Sequence, residues 1–90
     1  MKITRINIYG KVQGVWFRDF VRKTANKFEL NGWTKNEPDG SVLVEVEGDN
    51  TIIDKFIEIL KIGSPLSKVQ KVDVKWVEHE NKFQYFKIIR

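Results

Sequence analysis

Ninety residues carry 16 Lys and Arg against 12 Asp and Glu, a net charge of +4, and 41% of the chain is apolar, which is read as one domain over residues 1–90 with a single core. The absence of cysteine excludes disulfides, thiolate nucleophiles and Cys-ligated zinc or iron–sulfur sites, and the lone His79 excludes a multi-histidine metal site. No apolar run approaches the length of a bilayer span, and the Met1-Lys2-Ile3-Thr4-Arg5 start has no signal-peptide core, so a cytoplasmic protein without a membrane partner is expected.

From Ile3 to Tyr9 the residues alternate, Thr4, Ile6 and Ile8 on one face and Arg5, Asn7 and Tyr9 on the other, as in a half-buried strand. Gly10 and Gly14 bracket a short loop. Phe17, Phe20, Val21, Thr24, Ala25 and Phe28 then recur at helical spacing, and Asn31-Gly32 closes this first helix. A strand around Trp33 to Asn36 leads into the turn Glu37-Pro38-Asp39-Gly40. In the next strand Val42, Val44 and Val46 alternate with Leu43, Glu45 and Glu47, completing a hairpin.

Asp49, Asn50 or Thr51 caps a second helix with Ile53, Phe56, Ile57 and Leu60 on its inner face and Gly63 at its end; Ser64-Pro65 leads out. Val72, Val74 and Trp76 mark another strand, and Phe86 with Ile88 a short last one. The order is βαββαβ plus a short C-terminal strand. Strands with one wet face each imply an α+β, ferredoxin-like sandwich: an antiparallel sheet with two helices on one face.

The positive balance favours anionic partners, yet the basic residues are interleaved with acids from Lys2 to Arg90, as on a solvated mixed-charge surface. Chemistry concentrates in Gly10-Lys11-Val12-Gln13-Gly14-Val15-Trp16, which runs straight into the first helix. A helix start has unpaired N–H groups that a Ser, Thr, Asp or Asn normally caps, and none stands at residues 13 to 16. Glycines beside that start let the N–H groups form a nest for a phosphate. Arg18 in the first turn is unfavourable against the helix dipole until an anion binds, and its guanidinium fork matches phosphate oxygens. A plain turn followed by a surface arginine is the competing reading.

Asn36, at the end of the second strand, has an amide able to donate and accept, as the fixing of a water requires, although it also suits ordinary turn chemistry. Glu37 and Asp39 are read as solvated turn carboxylates rather than bases. His79 is read as an exposed loop residue. Trp33, Trp76, Phe83, Tyr85 and Trp16 are read as sheet and core aromatics, with Trp16 and Tyr9 bordering the loop.

At these residues the chain resembles the acylphosphatase family. Gly10-x-Val12-Gln13-Gly14-Val15-x-Phe17-Arg18 is similar to its phosphate-loop signature, and Gly32-Trp33-Thr34-Lys35-Asn36-x-x-x-Gly40-x-Val42, with Gly48, to its second signature; Gly63-Ser64-Pro65 and Val69 extend the likeness. Thr34 and the bulky Trp16 depart from the usual pattern without removing a functional group. The resemblance implies a monomeric, metal- and cofactor-independent hydrolase that cleaves acyl phosphates and has inorganic phosphate as product and inhibitor. It further implies that Arg18 and the backbone of Gln13, Gly14, Val15, Trp16 and Phe17 bind the phosphoryl group, and that Asn36 orients the attacking water. The chain's inventory agrees: a carboxylate leaves without a general acid, and phosphoryl transfer needs mainly positioning and charge stabilisation.

Two rivals use the same fold: a non-catalytic regulatory or binding module, and an RNA-binding domain that stacks bases on an open sheet face. Both Arg18 and Asn36 are present, which disfavours the first. Glu45 and Glu47 on the outward face would repel a nucleic-acid backbone, so no nucleic-acid partner is expected.

Overall fold

The computed structural model describes residues 2–77 and 83–89. The strands are β1 (Lys2–Lys11), β2 (Asn31–Asn36), β3 (Val42–Gly48), β4 (Lys68–Val77) and β5 (Phe86–Ile89), with helices α1 (Phe17–Lys27) and α2 (Asn50–Ile62). Their sheet order is β4-β1-β3-β2-β5. β1 pairs antiparallel with both β3 and β4, and β2 antiparallel with β3, the expected ferredoxin-like arrangement. β5 adds to the outer edge of β2 in parallel, so the sheet as a whole is mixed. The segment that includes His79 lies outside the described residues.

The alternation read in β1 and β3 places Ile6, Ile8, Val42, Val44 and Val46 on the inner face, all fully buried. Against them pack Phe17, Val21 and Ala25 of α1 and Ile53, Phe56, Ile57 and Leu60 of α2. Each of these larger side chains contributes about 1.5–3 kcal/mol by leaving water. The Asp49 carboxylate caps α2, accepting from the Thr51 N–H at 2.8 Å.

Local geometry departs from expectation in several places. Asn31 and Gly32 lie within β2, and α1 ends earlier, at Phe28. The Leu30 N–H donates to the Ala25 carbonyl and the Glu29 N–H to that of Asn26, with Glu29 at φ 55. This is a Schellman closure with a glutamate in the left-handed position that glycine usually fills. Replacing Glu29 by Gly is therefore expected to stabilise the fold by about 1 kcal/mol, measured by urea unfolding; a loss of stability would contradict the reading. Gly10 also has a different task, since it lies inside β1 where the register with β4 shifts. A Cβ there would stand 2.1 Å from the Lys68 carbonyl oxygen.

The face away from the helices is not the wet carboxylate surface expected. Glu45 points outward but is only 3% exposed, because the Arg5 guanidinium lies over it and donates from Nε (2.8 Å) and Nη2 to one carboxylate oxygen. Glu47 accepts from the Phe83 N–H at 3.1 Å. Three of the aromatics read as sheet or core residues are instead well exposed, namely Trp16, Trp76 and Tyr85. For Trp76 the reason is position: β4 is an edge strand, and of its apolar residues only Val69 and Val72 reach the core cluster.

Candidate active site

The loop between β1 and α1 is pinned at both ends by buried apolar side chains, Val12 and Phe17, each 1% exposed. Between them Gly14 (φ 74) and Trp16 (φ 63, ψ 21) adopt left-handed conformations. Left-handed residues flank Val15, a backbone pattern able to turn successive N–H groups toward one concave side. Glycine takes such angles freely, whereas a tryptophan does so at a cost of about 1–2 kcal/mol. Strain of this kind persists where surrounding structure over-determines it, commonly at functional sites.

Trp16 is also the N-cap of α1, and no side chain caps the helix. Among the described residues no protein acceptor takes the N–H groups of Gly14, Val15, Trp16, Phe17 or Arg18. The helix start is thus as open as its sequence implies, with the positive end of the helix dipole behind it.

Arg18 follows in the first turn, half-buried, and its Nη1 donates to the Ile89 carbonyl at 3.4 Å, the long limit for such a bond. No carboxylate among the described residues pairs with it. Across from it, Asn36 ends β2 on the helix-facing side, and its buried Oδ1 has no hydrogen-bond partner. With no protein donor on it, this oxygen is free to accept from a group bound in the pocket.

Arg18 and Asn36 meet in the wall of one pocket of about 380 Å³, together with Val12, Gly14, Trp16, Phe17, Asp19 and Ile88. They also share the wall of an adjoining depression with Lys35, Glu37, Pro38 and Ile89. Asp19, a carboxylate at an otherwise cationic site, is neutralised by Arg22 at 2.7 Å and Lys23 at 3.2 Å. Hydrogen bonds from Arg22, then Lys23, hold its carboxyl below the ordinary value.

Gln13 joins the two halves of the site. Its Nε2 donates to the carbonyls of Glu37 (2.8 Å) and Ser41 (2.9 Å), tying the loop to the turn that follows Asn36. That turn is closed by Gly40 N–H to the Glu37 carbonyl and by Glu37 N–H to the Ser41 carbonyl. Asp39 fastens it, accepting from the Ser41 hydroxyl at 2.6 Å and N–H at 2.9 Å, which lowers its carboxyl from the ordinary value. Glu37 lies 3.8 Å from Lys35. The Asp39 carboxylate therefore serves the turn, whereas that of Glu37 is half-buried beside Lys35 in the depression that Arg18 and Asn36 also line. Replacing Gln13 by Leu is expected to destabilise the protein by about 1–2 kcal/mol in denaturant unfolding, since two carbonyls lose a donor; no change would contradict the tie.

The pocket brings Gly14, Trp16, Phe17, Arg18 and Asn36 together, with Gln13 and Val15 on the same loop. Three features escaped the sequence reading: the left-handed Trp16, the Gln13 tie and the contribution of β5 through Ile88 and the Ile89 carbonyl. The helix start without a capping residue was the one local signal for the first.

The sequence model of the acylphosphatase family matches residues 4–88. The chain belongs to the acylphosphatase family. An acylphosphatase of Bacillus licheniformis is 42% identical over 84 residues, covering 93% of each chain. One of Salinibacter ruber is 40% identical over 83 residues, covering 92% of this chain and 87% of the other. The crystal structure of acylphosphatase from Bacillus subtilis superposes with a TM-score of 0.96 at 40% identity, covering both chains fully. The chain is accordingly an enzyme of acyl phosphate hydrolysis, and the RNA-binding and non-catalytic readings are not favoured.

Proposed function

We propose that the loop backbone from Gln13 to Phe17 and the Arg18 guanidinium together hold the phosphoryl group of an acyl phosphate, while Asn36 orients the water that attacks it. The observation that carries this reading is the row of unpartnered N–H groups on the pocket that Arg18 and Asn36 also line. Charge spreads over the equatorial oxygens in the transition state, and fixed donors aimed at those oxygens stabilise it without reorganising. The guanidinium supplies a planar fork from one side and the loop amides a concave array from the other.

Asn36 Oδ1 accepts a hydrogen bond from the water, aligning its oxygen on phosphorus. The new bond forms between that oxygen and phosphorus as the bond from phosphorus to the acyl oxygen breaks, and its electron pair leaves on the carboxylate. The water's proton passes to a phosphate oxygen of the substrate. Because a carboxylate is a stable leaving group, neither a general acid nor a metal is needed for its departure.

The finer setting of this activity is also part of the proposal: a monomer in the cytoplasm, acting on small acyl phosphates and not on membranes or nucleic acid. No described helix is long and apolar enough to cross a membrane. Steady-state hydrolysis of benzoyl phosphate in the presence of inorganic phosphate tests the site. Competitive inhibition, with turnover unaffected by a chelator, is expected; inhibition that leaves KM unchanged would place phosphate elsewhere.

A further inference from the structure

The sheet secures Asn36 on one flank only. It is the last residue of β2 and pairs with Val42 of β3, whereas the pairing of β2 with β5 stops at Lys35. No described protein group donates to Asn36 Oδ1, so the surrounding backbone and packing set where that oxygen stands.

The backbone that follows is the turn from Glu37 to Ser41, and two of its carbonyls carry it. The Ser41 carbonyl accepts from the Glu37 N–H at 2.8 Å, and the Glu37 carbonyl from the Gly40 N–H at 3.1 Å. Each carbonyl oxygen has a second lone pair, and the Gln13 amide, with two hydrogens on Nε2, donates to both. Among the described residues no other hydrogen bond joins the loop from Val12 to Trp16 to this turn. Gln13 is itself firmly placed, between buried Val12 and the left-handed Gly14 (φ 74).

In-line attack requires the water oxygen and phosphorus to be aligned about 3–3.5 Å apart, and a misplacement of about 1 Å costs on the order of 10²-fold in rate. We propose that Gln13 is a positioning residue, whose side-chain amide fixes the separation between the phosphoryl group on the loop and the water on Asn36. It acts through Asn36 and touches neither reacting group with its side chain. The proposal rests on Asn36 orienting the attacking water. The groups that grip phosphate, the loop amides and the Arg18 guanidinium, all lie on the loop side of this brace, so its loss falls on kcat and not on phosphate affinity.

The test measures kcat and KM for benzoyl phosphate and Ki for inorganic phosphate in Gln13→Leu, Asn36→Ala and the double variant, at a temperature where thermal unfolding shows each to be folded. Gln13→Leu is expected to lower kcat about tenfold or more with KM and Ki within about threefold. In the Asn36→Ala background the same change is expected to alter kcat by less than about twofold, because no water-orienting amide is left to align. A loop damaged as a whole would instead lose activity in both backgrounds. Gln13→Met, close to glutamine in length and equally without a donor, gives the same comparison should Gln13→Leu fail to fold. An unchanged kcat, a rise in KM and Ki that matches the loss of kcat, or an equal loss in both backgrounds overturns the positioning role. If Asn36→Ala loses kcat while Gln13→Leu does not, only the role of Gln13 fails. If Asn36→Ala keeps the wild-type kcat, the assignment of the water to Asn36 fails and the role of Gln13 with it.

Discussion

Arg18→Ala is expected to lower kcat/KM for acyl phosphate hydrolysis by about 10³-fold or more, in a protein that stays folded. Among the described residues the guanidinium is the one cation in the wall of the pocket, and the loop amides alone cannot balance a dianion. The same change removes little that holds the fold together. Its hydrogen bond to the Ile89 carbonyl is long, at 3.4 Å, and a cation against the helix N-terminus is itself unfavourable by about 0.3–1 kcal/mol. Thermal unfolding should thus give a Tm equal to or above the wild type. Arg18→Lys keeps the charge and loses the planar fork, and its activity is expected to fall between the two. Near-normal kinetics in Arg18→Ala would remove the proposed mechanism, whereas a collapsed fold would assign Arg18 a structural role.

Asn36→Ala is expected to lower kcat by about 10²-fold or more with KM little changed, because an interaction with the attacking water belongs to the transition state and not to substrate binding. Asn36 Oδ1 accepts no hydrogen bond from a described protein group, so its removal breaks none. Urea unfolding should show Asn36→Ala within about 1 kcal/mol of the wild type. A matched rise in KM with kcat preserved would move Asn36 from the water to the substrate.

Arg18 puts a cation on the positive end of α1 and Asn36 presents an acceptor without a protein donor. In the proposed mechanism a phosphoryl group offsets the first and a water engages the second, while the left-handed Trp16 is held by the structure around it.

Much of this was legible in the sequence because it is local. The alternation of Ile6 and Ile8, the helical spacing of Phe17, Val21 and Ala25, and the missing cap before Phe17 depend only on near neighbours along the chain. They place Arg18 and the loop at a helix start. What escaped depends on partners far away. Glu45 reads as solvated until Arg5, 40 positions away, is laid over it. Gln13 reads as a loop residue until the hairpin turn returns beside it and its amide reaches the Glu37 and Ser41 carbonyls. Glu29 occupies a left-handed position usually given to glycine because buried Leu30 packs at the end of the helix, so tertiary packing outweighs the local preference. The parallel direction of β5 follows from its addition to the β2 edge, and four residues carry too little pattern to announce it.

The central claim is that the backbone of the Gln13 to Phe17 loop and the Arg18 guanidinium form one receptor for a phosphoryl dianion. A titration of the amide NMR spectrum with inorganic phosphate tests it most directly. Saturable shifts confined to the amides of Gly14 to Arg18 and to the Asn36 side chain, lost in Arg18→Ala, are the predicted result. Shifts that cluster on another surface, or that persist unchanged in Arg18→Ala, would contradict it.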